Sequence, residues 1–234
     1  MKPYLPLTAL AALVFTLTLT AALTPTHADP PEGEGWVALF DGQSIDDWAV
    51  LSGKATYTVE DGAIVGTTEP GSPNTFLCTP DTYGDFELRF EVKVDHNPLN
   101  SGVMIRSKTN GNPDEAFGGR LRGPQVEIEA GPGQSGFIYG EASGGWLSPE
   151  PGSNDPDVNQ HDHFRNGEWN DYRVLAEGPR IRTWINGHLI ADLTVEDDYH
   201  ERFPEGVIGL QVHGVGRNGP YSVRWRELYV REIE

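Results

Sequence analysis

The sequence predicts an all-β protein, a sandwich or barrel, and three observations lead there. Its 28 glycines and 18 prolines punctuate the chain at intervals of about 8–12 residues, the spacing of short strands joined by turns. From Phe86 to Val94 apolar and charged residues alternate without a fault, the period of a strand with one face packed and one wet. Two dipeptides, Asp61-Gly62 and Asn186-Gly187, are of the kind that closes tight hairpins.

The elements follow in chain order. Thr56-Tyr57-Thr58-Val59 leads through Glu60-Asp61-Gly62 into Ala63-Ile64-Val65-Gly66, a hairpin. Phe86–Val94 is a long strand, and Ser101–Ser107 another. Gly123–Ala130 and Ile208–Gly214 read the same way. Asn186-Gly187 joins Ile181–Ile185 to His188–Asp192, and a strand runs from Ser222 to Ile233. Helix is scarce, with one turn expected between Glu196 and Arg202. The segment from Glu141 to Glu168, rich in Gly, Ser, Pro, Asn and Asp, reads as a loop; loops longer than about 15 residues are usually lids or disordered.

The N-terminus has the anatomy of a secretory signal peptide: Lys2, an apolar run from Ala9 to Leu23, then Thr26 and Ala28 at the −3 and −1 positions before Asp29. That run is too short for a spanning helix, which needs about 20 apolar residues. The chain is therefore expected to be exported, to the periplasm or outside the cell, with no membrane insertion after cleavage. Residues 29–34 form a short tether, and 35–234 fit one domain of sandwich size. Cys78 is the only cysteine, so no internal disulfide can form, and its apolar neighbours Phe76 and Leu77 mark it as a small buried hydrophobe.

With 35 acidic against 17 basic residues and a net charge of −18, the surface repels phosphate backbones and anionic membranes. No nucleic-acid partner is expected. Oligomeric state is not legible.

Three polar stripes carry the candidate chemistry. Strict alternation puts Gly102, Met104 and Arg106 on one face of their strand, Gln125, Glu127 and Glu129 on one face of the next, and Gln211 and His213 on one face of a third. Each stripe alone is also what a solvent-facing sheet looks like. If the three share a sheet, they form one surface of acid, base and hydrogen-bond donors suited to sugar hydroxyls, and Tyr139 and Trp146 are placed to stack on a sugar ring. Asn154–Asn159 clusters oxygen ligands without the spacing of a calcium loop. His161-Asp162-His163 is a weak metal signal. No cofactor and no metal ligands are expected, and a structural calcium ion stays open.

The ordered motifs Gly35-Trp36-Val37-Ala38-Leu39-Phe40-Asp41-Gly42 with Trp48, Tyr83-Gly84-Asp85-Phe86, Asn100-Ser101-Gly102-Val103, Gln125-Val126-Glu127-Ile128, Gly167-Glu168-Trp169-Asn170, Trp184-Ile185-Asn186-Gly187 and Gly206–Gly214 resemble the 3-keto-disaccharide hydrolase domain family. The resemblance covers Gly35 to Glu232. It implies a concanavalin A-like jelly-roll sandwich, a carbohydrate substrate, and cleavage of the glycosidic bond in sugars oxidised to a ketone at C3. Carried over by position, it points to Arg106, Glu127 and His213, with Gln211 and Asn100 supporting; Gln125 and the aromatics Tyr139 and Trp146 complete the substrate contacts. Glu129, a second acid on the glutamate strand, departs from the family pattern.

A ketone at C3 acidifies the C2 proton. Glu127 fits the base, Arg106 or His213 the enolate partner, and Glu129 or His213 the acid for the leaving oxygen. Direct hydrolysis by two carboxyls is the alternative, and a non-catalytic, lectin-like module on the same fold is the second functional reading.

Overall fold

The computed structural model of the chain describes residues 29–96, 99–109, 119–131, 133–148 and 161–233. The expected signal peptide, 1–28, and the oxygen-rich stretch 154–159 lie outside the described residues.

In chain order the strands are β1 (Val37–Ala38), β2 (Ala49–Leu51), β3 (Thr56–Glu60), β4 (Ala63–Thr67), β5 (Thr75–Tyr83), β6 (Phe86–Val94), β7 (Asn100–Thr109) and β8 (Leu121–Glu129). After these come β9 (Ile138–Glu141), β10 (Gly145–Trp146), β11 (Asn170–Glu177), β12 (Arg180–Ile185), β13 (His188–Thr194), the helix α1 (Asp197–Arg202), β14 (Gly206–Val212) and β15 (Ser222–Glu232). They form two antiparallel sheets. The eight-stranded one runs β13-β12-β11-β6-β15-β4-β3, with β1 also on β15; the seven-stranded one runs β10-β9-β8-β7-β14-β5-β2. This is the two-sheet, nearly all-β sandwich expected from the sequence.

Local chemistry explains the elements that were legible. Glu60 pairs with Ala63 and Ile185 with His188, so each hairpin closes over two residues. Both turn residues adopt positive φ, +51° and +76° at Asp61 and Gly62, +50° and +82° at Asn186 and Gly187, the left-handed geometry that Asp, Asn and Gly tolerate best. In β6 the apolar set Phe86, Leu88, Phe90, Val92 and Val94 faces inward and is fully buried. It meets Val174 and Tyr172 of β11 and Trp225 and Val230 of β15 in register, and the Phe90 and Tyr172 rings stack with centroids 5.0 Å apart. Leu77, Val103, Val126, Ile128, Ile208 and Leu210 close the same core from the other sheet.

The outer face of β6 is polar, as alternation requires, but not all of it is wet. Glu87 is 2% exposed and accepts from Arg89 of its own strand (3.1 Å), Arg173 of β11 (2.6 Å) and Arg231 of β15 (2.6 Å). Burial pushes this carboxyl up, yet the guanidinium hydrogen bonds outweigh it and hold the group below its ordinary value.

Cys78 is 1% exposed and packs with Phe76, Met104 and Leu121 in a small second cluster. Burial pushes its thiol up to about 12, the state of an inert core side chain. No helix among the described residues is long and apolar enough to cross a membrane.

Candidate active site

The outer face of the seven-stranded sheet carries a cleft of about 220 Å³. It is built where β14, β7, β8 and β9 lie side by side, in that order. Gly102 of β7 stands opposite Gln211 of β14 on one side and Glu127 of β8 on the other. Gln125 stands opposite Tyr139 of β9, and Tyr139 opposite Trp146 of β10. The period-2 alternation of each strand therefore lays Gln125, Glu127, Gln211, His213, Tyr139 and Trp146 along one cleft.

Glu127 sits at the floor, 4% exposed. Asn100 Nδ2 donates to its Oε2 at 3.2 Å, and Gln125 Nε2 makes a short hydrogen bond to its Oε1. Burial is the largest influence on its carboxyl; the two amide donors pull it down while the charges of Glu141 and Glu129 push it up. The balance is a group raised to about 7. Such a carboxyl binds its proton in the folded chain between pH 4.5 and about 7, where the unfolded chain has released it. Stability is thus lost as pH rises through that window, by about 3 kcal/mol at most. Glu127→Gln is expected to be more stable than the parent at pH 8 and equal to it near pH 4, as read from thermal unfolding midpoints. Equal midpoints at pH 8 would refute the raised carboxyl.

Gly102 earns its place by what it lacks. A Cβ there would meet the Gln125 side chain at 2.6 Å, so the glycine clears the space through which Gln125 reaches Glu127. The room goes to a neighbouring side chain.

His213 lines the cleft, half buried, with Nδ1 2.8 Å from the Gly214 carbonyl oxygen. A carbonyl only accepts, so Nδ1 carries the proton and Nε2 is the nitrogen left for other partners. Tyr139 and Trp146 meet edge to face, centroids 5.2 Å apart at 74°, and form the apolar wall. They lie on a tight β9–β10 hairpin. The expected loop from Glu141 to Glu168 therefore begins as ordered strand, Glu141 ending β9 and Gly145–Trp146 forming β10.

Arg106 is not in the cleft, and this corrects its place on the stripe. The pairing of β7 shifts between Met104 and Lys108 against β8, and between Val207 and Gly209 on the β14 side. Arg106 lies in this bulge at φ +47°. The bulge re-aims the side chain, and its guanidinium, 1% exposed, donates to Gly84 O (2.6 Å), Gly178 O (2.6 Å) and Asp85 Oδ1 (2.8 Å). Those acceptors flank β6 and β11 of the other sheet, so Arg106 clasps the two sheets together. Glu129 stays on the Glu127 face but does not line the cleft; its backbone N–H donates to Ser135 Oγ at 2.7 Å.

Two lining residues escaped the sequence. Glu141, 5% exposed, forms a short ion pair with Arg120 and accepts from Asn74 Nδ2 at 3.4 Å. Its one signal is that it stands two residues beyond Tyr139, on the same strand face. Gln134 comes from the connection between β8 and β9, where no periodicity marks it. Among the described residues no group of three or more His, Cys, Asp or Glu side chains is placed to hold a metal ion.

The model for the 3-keto-alpha-glucoside-1,2-lyase-like domain matches residues 35–231. The chain belongs to that family. No curated protein matches it in sequence. Among solved structures it is similar to a Parabacteroides distasonis ATCC 8503 protein provisionally assigned as a glycosyl hydrolase, at 21% identity and a TM-score of 0.58 over 86% of this chain and 95% of that one. A second, with the same assignment and organism, gives 18% identity and 0.53 over 85% and 99%. A Bacillus subtilis protein of unknown function with a galectin-like fold gives 11% and 0.58 over 84% and 94%. At these identities the likeness is one of fold, and it agrees with the jelly-roll sandwich of this member of the family.

Proposed function

We propose that this chain is an exported enzyme that cleaves the glycosidic bond of 3-keto-glycosides, with Glu127 as the base. The observation that carries the proposal is a carboxyl raised to about 7, at the floor of a cleft walled by Tyr139 and Trp146, in a member of the 3-keto-alpha-glucoside-1,2-lyase-like family. A base with a pKa near the working pH is the efficient one.

Glu127 takes the proton from C2, and the electron pair of that C–H bond passes into the enolate of the C3 ketone. Return of the electrons to C1–C2 expels the C1 oxygen, which leaves with the proton that Glu127 took from C2; His213, whose bare Nε2 can accept that proton and hand it on, is the group for that transfer. Water then adds across the new C1–C2 double bond, and the sum is hydrolysis. Asn100 and Gln125 orient the Glu127 carboxylate, and the aromatic pair holds the sugar ring.

The test is turnover by the purified protein of 3-keto-trehalose, 3-keto-lactose and a chromogenic 3-keto-glucoside beside their unoxidised parents. Product is expected from the keto forms alone. Because the base must be ionised, kcat/KM is expected to climb with pH and level off above about 7. Saturable binding of the same sugars without product would make the chain a carbohydrate-binding module instead.

A further inference from the structure

The cleft holds buried polar atoms with no hydrogen-bond partner among the described residues. Gln211 is fully buried and lines the cleft, yet neither its Nε2 nor its Oε1 has a hydrogen-bond partner among the described residues. Gln125 commits its Nε2 to Glu127 and leaves Oε1 unpartnered. Buried polar atoms are nearly always paired, and an orphan carries the full cost of desolvation. Three at one cleft are what a site keeps in reserve for its ligand.

The orphans have a definite chemistry. Gln125 offers an acceptor only, because its donor end is spoken for. Gln211 offers one donor end and one acceptor end, and no described residue dictates which way its amide turns. Together they present acceptor, donor, acceptor. A sugar ring oxidised at C3 presents the complement: the C2 hydroxyl can donate, the ketone oxygen can only accept, and the C4 hydroxyl can donate. We propose that Gln211 and Gln125 are the specificity residues that read the C2–C3–C4 edge of a 3-keto-sugar, Gln211 Nε2 donating to the ketone and the two Oε1 atoms accepting from the flanking hydroxyls. This rests on the reading of the cleft as a 3-keto-glycoside site and adds the residues that recognise the ketone.

The pairing also serves the chemistry. The Gln125 amide that holds Glu127 is the one that accepts from the C2 hydroxyl, so a single side chain ties C2 to the base. The Gln211 donor meets the ketone oxygen, where negative charge gathers when the C2 proton leaves. Donors aimed at that oxygen stabilise the enolate more than the ground state.

The distinguishing feature of a ketone is that it cannot donate, whereas a hydroxyl can do either. Gln211→Glu, assayed at pH 9 where its carboxyl is ionised, presents acceptors only, so it should spare the pairing with an unoxidised sugar and remove the pairing with the ketone. Gln211→Met presents neither. Binding of methyl 3-keto-α-glucoside and of methyl α-glucoside is measured by calorimetry with each Gln211 variant in the Glu127→Gln background, where the keto ligand survives. Thermal unfolding checks each variant.

Gln211→Glu is expected to lower the ratio of keto to parent affinity by about tenfold or more, and Gln211→Met to weaken the keto ligand by about tenfold. Should Gln211→Glu fail to fold, Gln211→Met carries the test alone. A keto affinity unchanged in Gln211→Met overturns the assignment, and if the unsubstituted protein still turns over the chromogenic 3-keto-glucoside, only the assignment falls. Absence of both turnover and binding for every keto sugar overturns the cleft's reading and the assignment with it.

Discussion

Glu127→Gln is expected to lower kcat for a 3-keto-glucoside by roughly 10²–10⁴-fold, the share that a positioned general base contributes. The substitution keeps the size of the side chain and one of the two oxygens that accept from Asn100 and Gln125 in the parent. What it removes is the ability to take a proton. Substrate affinity should change little, because the aromatic wall of Tyr139 and Trp146 is untouched. The measurement is steady-state turnover of the chromogenic 3-keto-glucoside across pH. Retained turnover would remove Glu127 from the chemistry, and loss of folding cannot mimic the result, since the variant is expected to be the more stable protein at pH 8.

The second large effect concerns Arg106 and falls on stability. Arg106→Met leaves the carbonyl oxygens of Gly84 and Gly178 without their donor and Asp85 without its ion-pair partner. Asp85 is about half exposed and water can serve it, so most of the loss comes from the two carbonyls and the sheet-to-sheet clasp. Hydrogen bonds from charged donors contribute about 1.5–3 kcal/mol each, and a net loss of about 3 kcal/mol lowers the unfolding midpoint of a chain this size by roughly 6–12 °C. Turnover per folded molecule should be unchanged well below the midpoint. The opposite pattern, an unmoved midpoint with lost activity, would return Arg106 to the chemistry as the enolate partner.

These two residues also mark how far the sequence could be read. Glu127, Gln125, Gln211 and His213 were legible because β8 and β14 keep strict alternation along the stretch that forms the cleft, so spacing alone assigns their face. Arg106 was misplaced because the bulge in β7 breaks that alternation, and Ile105-Arg106-Ser107 has no glycine, proline, asparagine or aspartate to announce it. Glu141 was read into a loop because the glycines and serines that follow it mask a two-residue strand. The hairpins at Asp61-Gly62 and Asn186-Gly187 were legible because two residues decide each. That β7 lies between β8 and β14, and so brings three stripes into one cleft, depends on pairing between strands about a hundred residues apart, which no local pattern encodes.

The position of β15 bears on when the fold can form. Residues 222–232 lie between β6 and β4 and also receive β1, so the eight-stranded sheet is organised around a segment that the ribosome makes after every other described strand. Until it emerges, β6 has a partner on one edge only, and the β3–β4 hairpin is not joined to the rest of its sheet. Arg231, the β15 donor to Glu87, is also missing. Pairings this distant in sequence form slowly and late. A chain interrupted before residue 222 therefore remains two unjoined fragments of one sheet, which places completion of the fold after synthesis of the domain.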